Sequence, residues 1–330
     1  MLNDAKIARL ENLAHRDPTS RGLASFLRDG QFLDAGQLAS AAASLARATS
    51  VGLVTGFAVV VGENVAAETD GPPGALLLSY VLLRLGIDVT LISDRYGVPL
   101  LRAGAPIWDL PASIIRESDG SQTTADSAPN KPCSHLVAIE RVGPSHTLES
   151  LVRQPRPGAP PSDAFEREVP PQDRDVRHNM RGAPVDAWTP PLDRLFDFAA
   201  DQPRPVTIGL ADGGNEIGVG QLPWETVREA VRSPVAGRIA CRIPTDYLLL
   251  AGVSDWAAYA LAGAVCLERG RPDLLDAETV TRQRALLEAL VRAGALDGIT
   301  RTPSPTVDGL PTNQYLDVLA EIVRTVTRAR

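Results

Sequence analysis

The stretch "VGLVTGFAVVVGENVAAETDGPPGALLLSYVLLRLGIDVTLIS", residues 51–93, decides the fold. Its opening run is short, β-branched and flanked by glycine, which reads as a buried strand over 52–61. "GPPGALLLSYVLLRLG" then places prolines early and Gly86 at its end, which is how helices start and stop. "IDVTLIS", 87–93, is a second strand. Strand, helix and strand in that order make a βαβ unit, the mark of a parallel sheet.

Outward from this unit, residues 1–50 read as an N-terminal helical segment, with apolar residues three and four apart in "LASFLRDG" and "AGQLASAAASLARATS". Downstream, "SHLVAIERVG" predicts a strand over 135–141, "PVTIGL" one over 205–210 and "DYLLLAG" one over 246–251, with "RIACRI" as another. "SDWAAYALAGAVCLERG", "AETVTRQRALLEALVRAG" and "TNQYLDVLAEIVRTVTRA" read as helices. Residues 104–132, rich in Ala, Pro, Ser and Asp, read as a surface loop. Residues 153–191 are dense in proline and charge and read as a linker, lid or long functional loop that buries no core. The expected fold is α/β: a mostly parallel sheet with helices on both faces in Rossmann-like layers. Residues 51–330 are expected to form one α/β domain carrying a Pro-rich loop or lid at 153–181.

A chain of 330 residues can bury a sizeable core, and 44% hydrophobic with 22% charged residues is the composition of a soluble globular protein. The net charge of −7 argues against nucleic acid or an anionic membrane as partner. The N-terminus lacks the apolar core of a secretory signal. Asp255 interrupts "LLLAGVSDWAAYALAGAVCL", the run nearest a membrane span. Cys133, Cys241 and Cys266 are far apart with no CxxC pair, which argues against a thiolate zinc site and fits a cytoplasmic setting. His15, His135, His146 and His178 show no HExxH spacing and read as surface or loop residues. There is no GxGxxG or GxxxxGK[ST] motif, so no nucleotide cofactor is expected, and no GxSxG accompanies Ser145 and His146.

Ligands of open α/β sheets bind beyond the carboxyl ends of the strands, and four segments end in unusual polar clusters. These are Glu68, Thr69 and Asp70; Glu140 and Arg141; "LADGGNEIGVG" at 210–220, with Asp212, Gly213, Gly214, Asn215 and Glu216; and Ser254 with Asp255. Parallel strands would bring them to one rim. Acids crowded in this way repel unless a cation or proton relieves them, and oxygen ligands suit Mg²⁺ or Mn²⁺. Each cluster also has a plain structural reading. Asp70 can cap the helix begun by Pro72, Ser254 or Asp255 can be an N-cap, Glu140 can pair with Arg141, and the glycines can form a turn.

"TGF", "ETDGPPGA", "LGIDVTLISD", "HLVAIERVG", "HNMRG", "DGGNEIGVG", "AGVSDWAAYALA" and "VDGLP" occur in this order. The series resembles the C-terminal domain of the D-glutamate cyclase family, across residues 50–315. Mitochondrial animal members of that family carry a further N-terminal domain, a short connection in place of the Pro-rich insertion, and asparagine where this chain has Asp255. The resemblance implies a hydro-lyase that cyclises D-glutamate, or a closely related amino acid, to 5-oxo-D-proline and water. It implies Mn²⁺ or Mg²⁺ as cofactor, a small amino acid or lactam as the bound partner, and a homo-oligomer as a candidate assembly. On this reading Glu68, Asp70, Glu140, Asn215 and Asp255 serve catalysis. Thr69, Arg141, Arg181, Gly213, Gly214 and Ser254 bind substrate, and Asp70, Asp212 and Glu216 ligate the metal. Arg181, at the end of a loop closing over substrate, would meet the α-carboxylate. The alternatives are lactam formation or hydrolysis on another amino acid, and a non-catalytic metabolite- or metal-binding protein.

Overall fold

The computed structural model describes residues 2–121, 133–198 and 204–328. Helices α1 (Leu2–Ala14) and α2 (Gln37–Leu45) lead into strand β1 (Ser50–Thr55), hairpin β2 (Ala58–Val61) and β3 (Asn64–Ala67), and helix α3 (Pro72–Arg84). Then come β4 (Asp88–Ser93), α4 (Gly97–Gly104), β5 (Ile115–Glu117) and β6 (His135–Ile139). Short helices α5 (Leu148–Arg153) and α6 (Ser162–Glu168) precede β7 (Val206–Ala211), α7 (Trp224–Ala230), α8 (Ala236–Ile239) and β8 (Tyr247–Leu250). Helices α9 (Ser254–Glu268), α10 (Ala277–Arg292) and α11 (Thr312–Thr327) complete the chain.

Six strands form one wholly parallel sheet in the order β8-β7-β6-β1-β4-β5. The chain builds outward from β1 through β4 to β5, returns to lay β6 on the other side of β1, and continues to β7 and β8. This is the doubly wound order, and its direction reverses between β1 and β6, where Thr55 lies opposite Ile139. Alternate residues of each strand feed separate cores. Val137 and Ile139 join α1–α4 and α9–α11 on one face, while Leu136 and Ala138 pack with Phe165, Trp224 and Ile239 on the other. The α/β class and the helices on both faces are as expected from the sequence.

Several local expectations are corrected. The run 52–61 is two strands: Gly56 takes φ 113°, a side chain there would meet Ser93 Oγ at 2.7 Å, and the chain turns away into a separate antiparallel hairpin. "LASFLRDG" is no helix; Leu27–Arg28 pairs antiparallel with Gln31–Phe32. "RIACRI" begins as the tail of α8 instead of a strand. Within 104–132, Ile115–Glu117 adds an edge strand to the sheet, and 122–132 lie outside the described residues. The segment 153–191 does bury core, because Phe165 and Val169 are one helical turn apart and fully buried, with Phe165 edge-on to Trp224 at 5.4 Å. All four histidines are buried, between 1% and 6% exposed, so none is a surface residue; His15, His146 and His178 lie in turns or loops, as expected, and His135 opens β6. Among the described residues no helix is long and apolar enough to cross a membrane.

Candidate active site

The site forms where the sheet divides, at the carboxyl ends of β1, β6 and β7. Glu140, just past β6, has φ 45°, a left-handed backbone that costs a non-glycine residue about 1–3 kcal/mol. Its neighbour explains how this is held. Arg141 is fully buried and turned the other way, paired to Asp94 Oδ2 at 2.6 Å and donating to the carbonyls of Gly56 (2.7 Å) and Pro190 (2.6 Å). With Arg141 anchored behind the sheet rim, Glu140 faces the acids, where its Oε2 accepts from Ser254 Oγ at 2.5 Å.

Helices α3 and α9 aim their N-termini at the same point. Asp70 accepts from the N–H groups of Ser254 (3.1 Å) and Asp255 (3.0 Å), and Asp255 Oδ1 from those of Gly71 (3.1 Å) and Gly74 (2.7 Å). Gly74 permits the approach, since a Cβ there would lie 2.7 Å from both Ala258 Cβ and Asp255 Oδ1. Carboxylates at helix N-termini satisfy orphan N–H groups and meet the positive end of the macrodipole. Asp255 Oδ2 accepts from Tyr315 Oη at 2.7 Å, and Tyr315 in turn contacts Tyr259.

Oxygens of Asp70, Glu140 and Asp212 lie within 4.8 Å of one another, all three residues buried. Hard oxygen donors at this spacing suit Mg²⁺ or Mn²⁺. A second observation points the same way: Asp212 Oδ2, Glu68 Oε1, Asp308 Oδ2 and Asn215 Oδ1 are buried without a hydrogen-bond donor. Buried acceptors are normally paired, so four together fit a cation, a protonated ligand or protons shared between neighbouring acids, Glu68 with Glu140 and Asp212 with Asp308. Arg21 is in contact with the cluster, forming ion pairs with Asp212 and, at 2.6 Å, with Asp308 Oδ1.

Burial is the main cause that raises these acids. Asp212 is pushed up to about 7, with Arg21 opposing and Glu216 adding to the rise. Asp308 is pushed up to about 8 by burial against the pull of Arg21, with Asp212 adding repulsion. Asp255 rises to about 6 by burial, offset by its hydrogen bonds. Glu68, Asp70 and Glu140 stand well above the carboxylate range, through burial first and then repulsion from Asp308, Asp255 and Asp212 respectively.

In front of the acids is a cavity of about 110 Å³, lined by Arg21, Glu68, Glu140, Asn215 and Asp308, with Arg181 and Arg301 among its other walls. Larger surface hollows, such as one of about 650 Å³ beside Thr207 and Asp246, open at the amino ends of β7 and β8, away from the acids. The chemistry therefore selects the smaller one.

The structure brings Glu68, Asp70, Glu140, Asp212, Asn215 and Asp255 together. Glu216 also lies close enough to act on Asp212 and Glu140, and several positions make further contacts. Both oxygens of Glu216 accept from its own loop, from Gly213 N–H (2.9 Å) and Gly214 N–H (2.8 Å), and so hold the glycine turn closed. Gly213 and Gly214 thus give their N–H groups to Glu216 instead of to the cavity. Thr69 is buried, its hydroxyl donating to the Thr306 carbonyl at 2.7 Å. Ser254 serves Glu140, and Arg141 is committed to Asp94. Arg181 is exposed at the cavity wall, with one arm 3.3 Å from the Ile299 carbonyl. Sequence reasoning missed Arg21, Asp308 and Tyr315. Asp308 stood within the quoted "VDGLP", whereas "TSRGLA" around Arg21 carries no pattern.

The chain is 28% identical over 346 residues to "D-glutamate cyclase, mitochondrial" of Homo sapiens, an alignment that covers 98% of this chain and 52% of the relative. It therefore spans about half the length of that curated protein. The family described as "D-glutamate cyclase-like, C-terminal" matches residues 10–149 and 164–323, which take in every residue of the acidic cluster and Arg21, and the chain belongs to that family.

Proposed function

We propose that this protein is a metal-assisted hydro-lyase that closes D-glutamate, or a near relative, to 5-oxo-D-proline with loss of water. The observation that carries this reading is the buried group of Asp70, Glu140 and Asp212 at the point where the sheet divides, fronted by acceptors without donors. The α-amine must attack the γ-carboxyl carbon, and the departing oxygen must leave as water. Asp70, Glu140 and Asp212 would hold Mn²⁺ or Mg²⁺, which when bound supplies Lewis-acid polarisation of the γ-carboxylate.

The remaining work falls to the chain itself. Glu68, with an Oε1 on the cavity wall that lacks a donor and an affinity for protons raised by burial, takes in turn the two protons that the nitrogen loses in becoming the lactam N–H, and delivers both to the γ-oxygen, which departs as water as its bond to the γ-carbon breaks. Asn215 donates to the His178 carbonyl at 2.8 Å, which fixes its amide and leaves Oδ1 to accept from the substrate nitrogen. Arg181 and Arg301 at the cavity wall suit the α-carboxylate, since a guanidinium pairs bidentately. The space of about 110 Å³ is far below the roughly 300–1,000 Å³ of drug-sized sites, which favours a small substrate held folded for ring closure.

Incubating the protein with D-glutamate, L-glutamate and both 5-oxoprolines, with and without Mn²⁺, tests the reading. Loss of one water from D-glutamate in the presence of metal is the expected result. Gain of water by a lactam alone would assign the hydrolytic direction, and no mass change with any of the four would overturn the reading.

A further inference from the structure

Arg21 enters the acidic site from a different part of the chain than the acids do, and its backbone is pinned on both sides. Asp17 accepts from the N–H groups of Arg21 (3.0 Å) and Gly22 (2.8 Å), and the Arg21 carbonyl accepts from Arg232 N–H at 2.9 Å. Gly22 has φ 96°, and a Cβ there would lie 2.3 Å from the Ala230 carbonyl oxygen, so this path admits glycine alone. From that fixed base the side chain reaches across to bridge Asp212, at the end of β7, and Asp308, in the loop before α11. A guanidinium keeps its charge in proteins, so this side chain brings a permanent positive charge to Asp212 and Asp308.

We propose that Arg21 is the resident counter-cation of the site: it neutralises Asp212 and Asp308 while no metal is bound, and it yields Asp212 to an incoming divalent cation. This rests on the metal-site reading above and extends it to a residue outside the ligand set. Without a positive charge, closely packed buried carboxylates would oppose folding. With one permanently present on a ligand, a metal must compete for that ligand. Asp308 Oδ1 then retains the guanidinium, so the arm need not leave the site.

The test compares wild type, Arg21→Gln and Arg21→Lys by calorimetric titration with MnCl₂ and by thermal melting in EDTA. Arg21→Gln should melt at least about 5 °C lower in EDTA, as loss of a charge-assisted bridge requires. It should also bind Mn²⁺ at least about tenfold tighter, because a unit charge a few ångströms from a divalent ion is removed. Arg21→Lys keeps the charge without the fork, and its Mn²⁺ affinity should stay within about threefold of wild type. Equal or weaker Mn²⁺ binding by Arg21→Gln overturns the proposal. If Arg21→Gln folds only with Mn²⁺, the proposal is supported. If it folds under neither condition, Arg21→Lys decides, and a loss of Mn²⁺ affinity beyond about tenfold in that variant would show a positioning role instead. Absence of Mn²⁺ binding in wild type overturns this proposal together with the metal site. Absence of glutamate turnover, with the binding results as expected, defeats the proposed reaction and leaves the role of Arg21 standing.

Discussion

Asp70 and Asp255 cap each other's helices: Asp70 holds the first N–H groups of α9, and Asp255 holds those of α3. Each acid sits beside the helix that the other one caps, so the two helix starts lock as a unit. The family resemblance places asparagine at position 255, which makes Asp255→Asn informative. An asparagine Oδ1 can still accept from Gly71 and Gly74, and it removes a charge that burial penalises. Asp255→Asn should therefore melt within a few degrees of wild type. Asp255→Ala takes the acceptor from Gly74 N–H and from the Tyr315 hydroxyl, while Gly71 N–H keeps Asp70 Oδ1 at 2.9 Å, and should cost about 1–3 kcal/mol in denaturant unfolding. Equal damage by both variants would contradict the capping role.

The raised acids make stability depend on pH in the metal-free protein. Asp212 and Asp308, at about 7 and about 8 when folded, lie above their ordinary value of 3.8. Between pH 8.5 and 6.5 the folded chain takes up protons that the unfolded chain does not, so stability rises as pH falls. Below about 6.5 the unfolded chain protonates His146, which burial holds down to about 3 in the folded state, and this opposes the gain. Melting in EDTA should therefore occur at higher temperature at pH 6.5 than at pH 8.5. Saturating Mn²⁺ should reduce or reverse the difference, since a bound metal needs the carboxylates ionised. A metal-free melting point that climbs with pH across this window would refute the assignment.

How much of this was legible in the sequence follows from what each signal depends on. Residues 51–93 revealed the βαβ unit because hydrophobic runs and helix-stop residues are local. The turn at Gly56 was hidden because its cause, the closeness of Ser93, is tertiary. The rim acids could be found because strand ends in a parallel sheet share an edge. Arg21 could not, because its place depends on how Asp17 and Gly22 bend a loop against α7. For Glu216 the sequence shows only a charge among glycines, which looks alike whether the acid faces a metal or its own N–H groups. The composition of 153–191 suggested no core, yet two apolar residues one helical turn apart were enough to seat α6.

The Arg141–Asp94 pair is buried on both sides, which sets the sign and size of its mutants. Asp94→Asn leaves a buried guanidinium without its counter-charge, and such a loss costs about 3–5 kcal/mol. The effect should appear in urea unfolding. Where folded protein remains, turnover should fall through kcat as Glu140 loses its aim, with KM little changed. A selective rise in KM would instead return Arg141 to substrate binding.

Arg181 lies exposed on the cavity wall, so its removal should leave the fold intact. Arg181→Lys should raise KM for D-glutamate by about tenfold or more, because an ammonium lacks the fork that matches a carboxylate. Unchanged KM in the lysine variant would leave Arg301 as the cation to test.

Asp212 and Glu216 sit in one turn and differ in their hydrogen-bond partners. Asp212 presents an oxygen without a donor to the cluster, whereas each oxygen of Glu216 already accepts one N–H from its own loop, from Gly213 and Gly214. Asp212→Asn keeps the shape and removes a ligand charge. It should leave the melting point in EDTA near or above that of wild type while weakening Mn²⁺ at least about tenfold. Glu216→Gln turns an amide N–H₂ toward a backbone N–H that needs an acceptor, which costs about 1–3 kcal/mol of stability. Its Mn²⁺ affinity should fall less than that of Asp212→Asn, because the loop loosens while the ligand remains. Titration calorimetry and melting on the two variants give four numbers with opposed expectations. If Glu216→Gln lost metal and kept its stability while Asp212→Asn did the reverse, the two acids would exchange roles, and the ligand set of Asp70, Glu140 and Asp212 would be wrong.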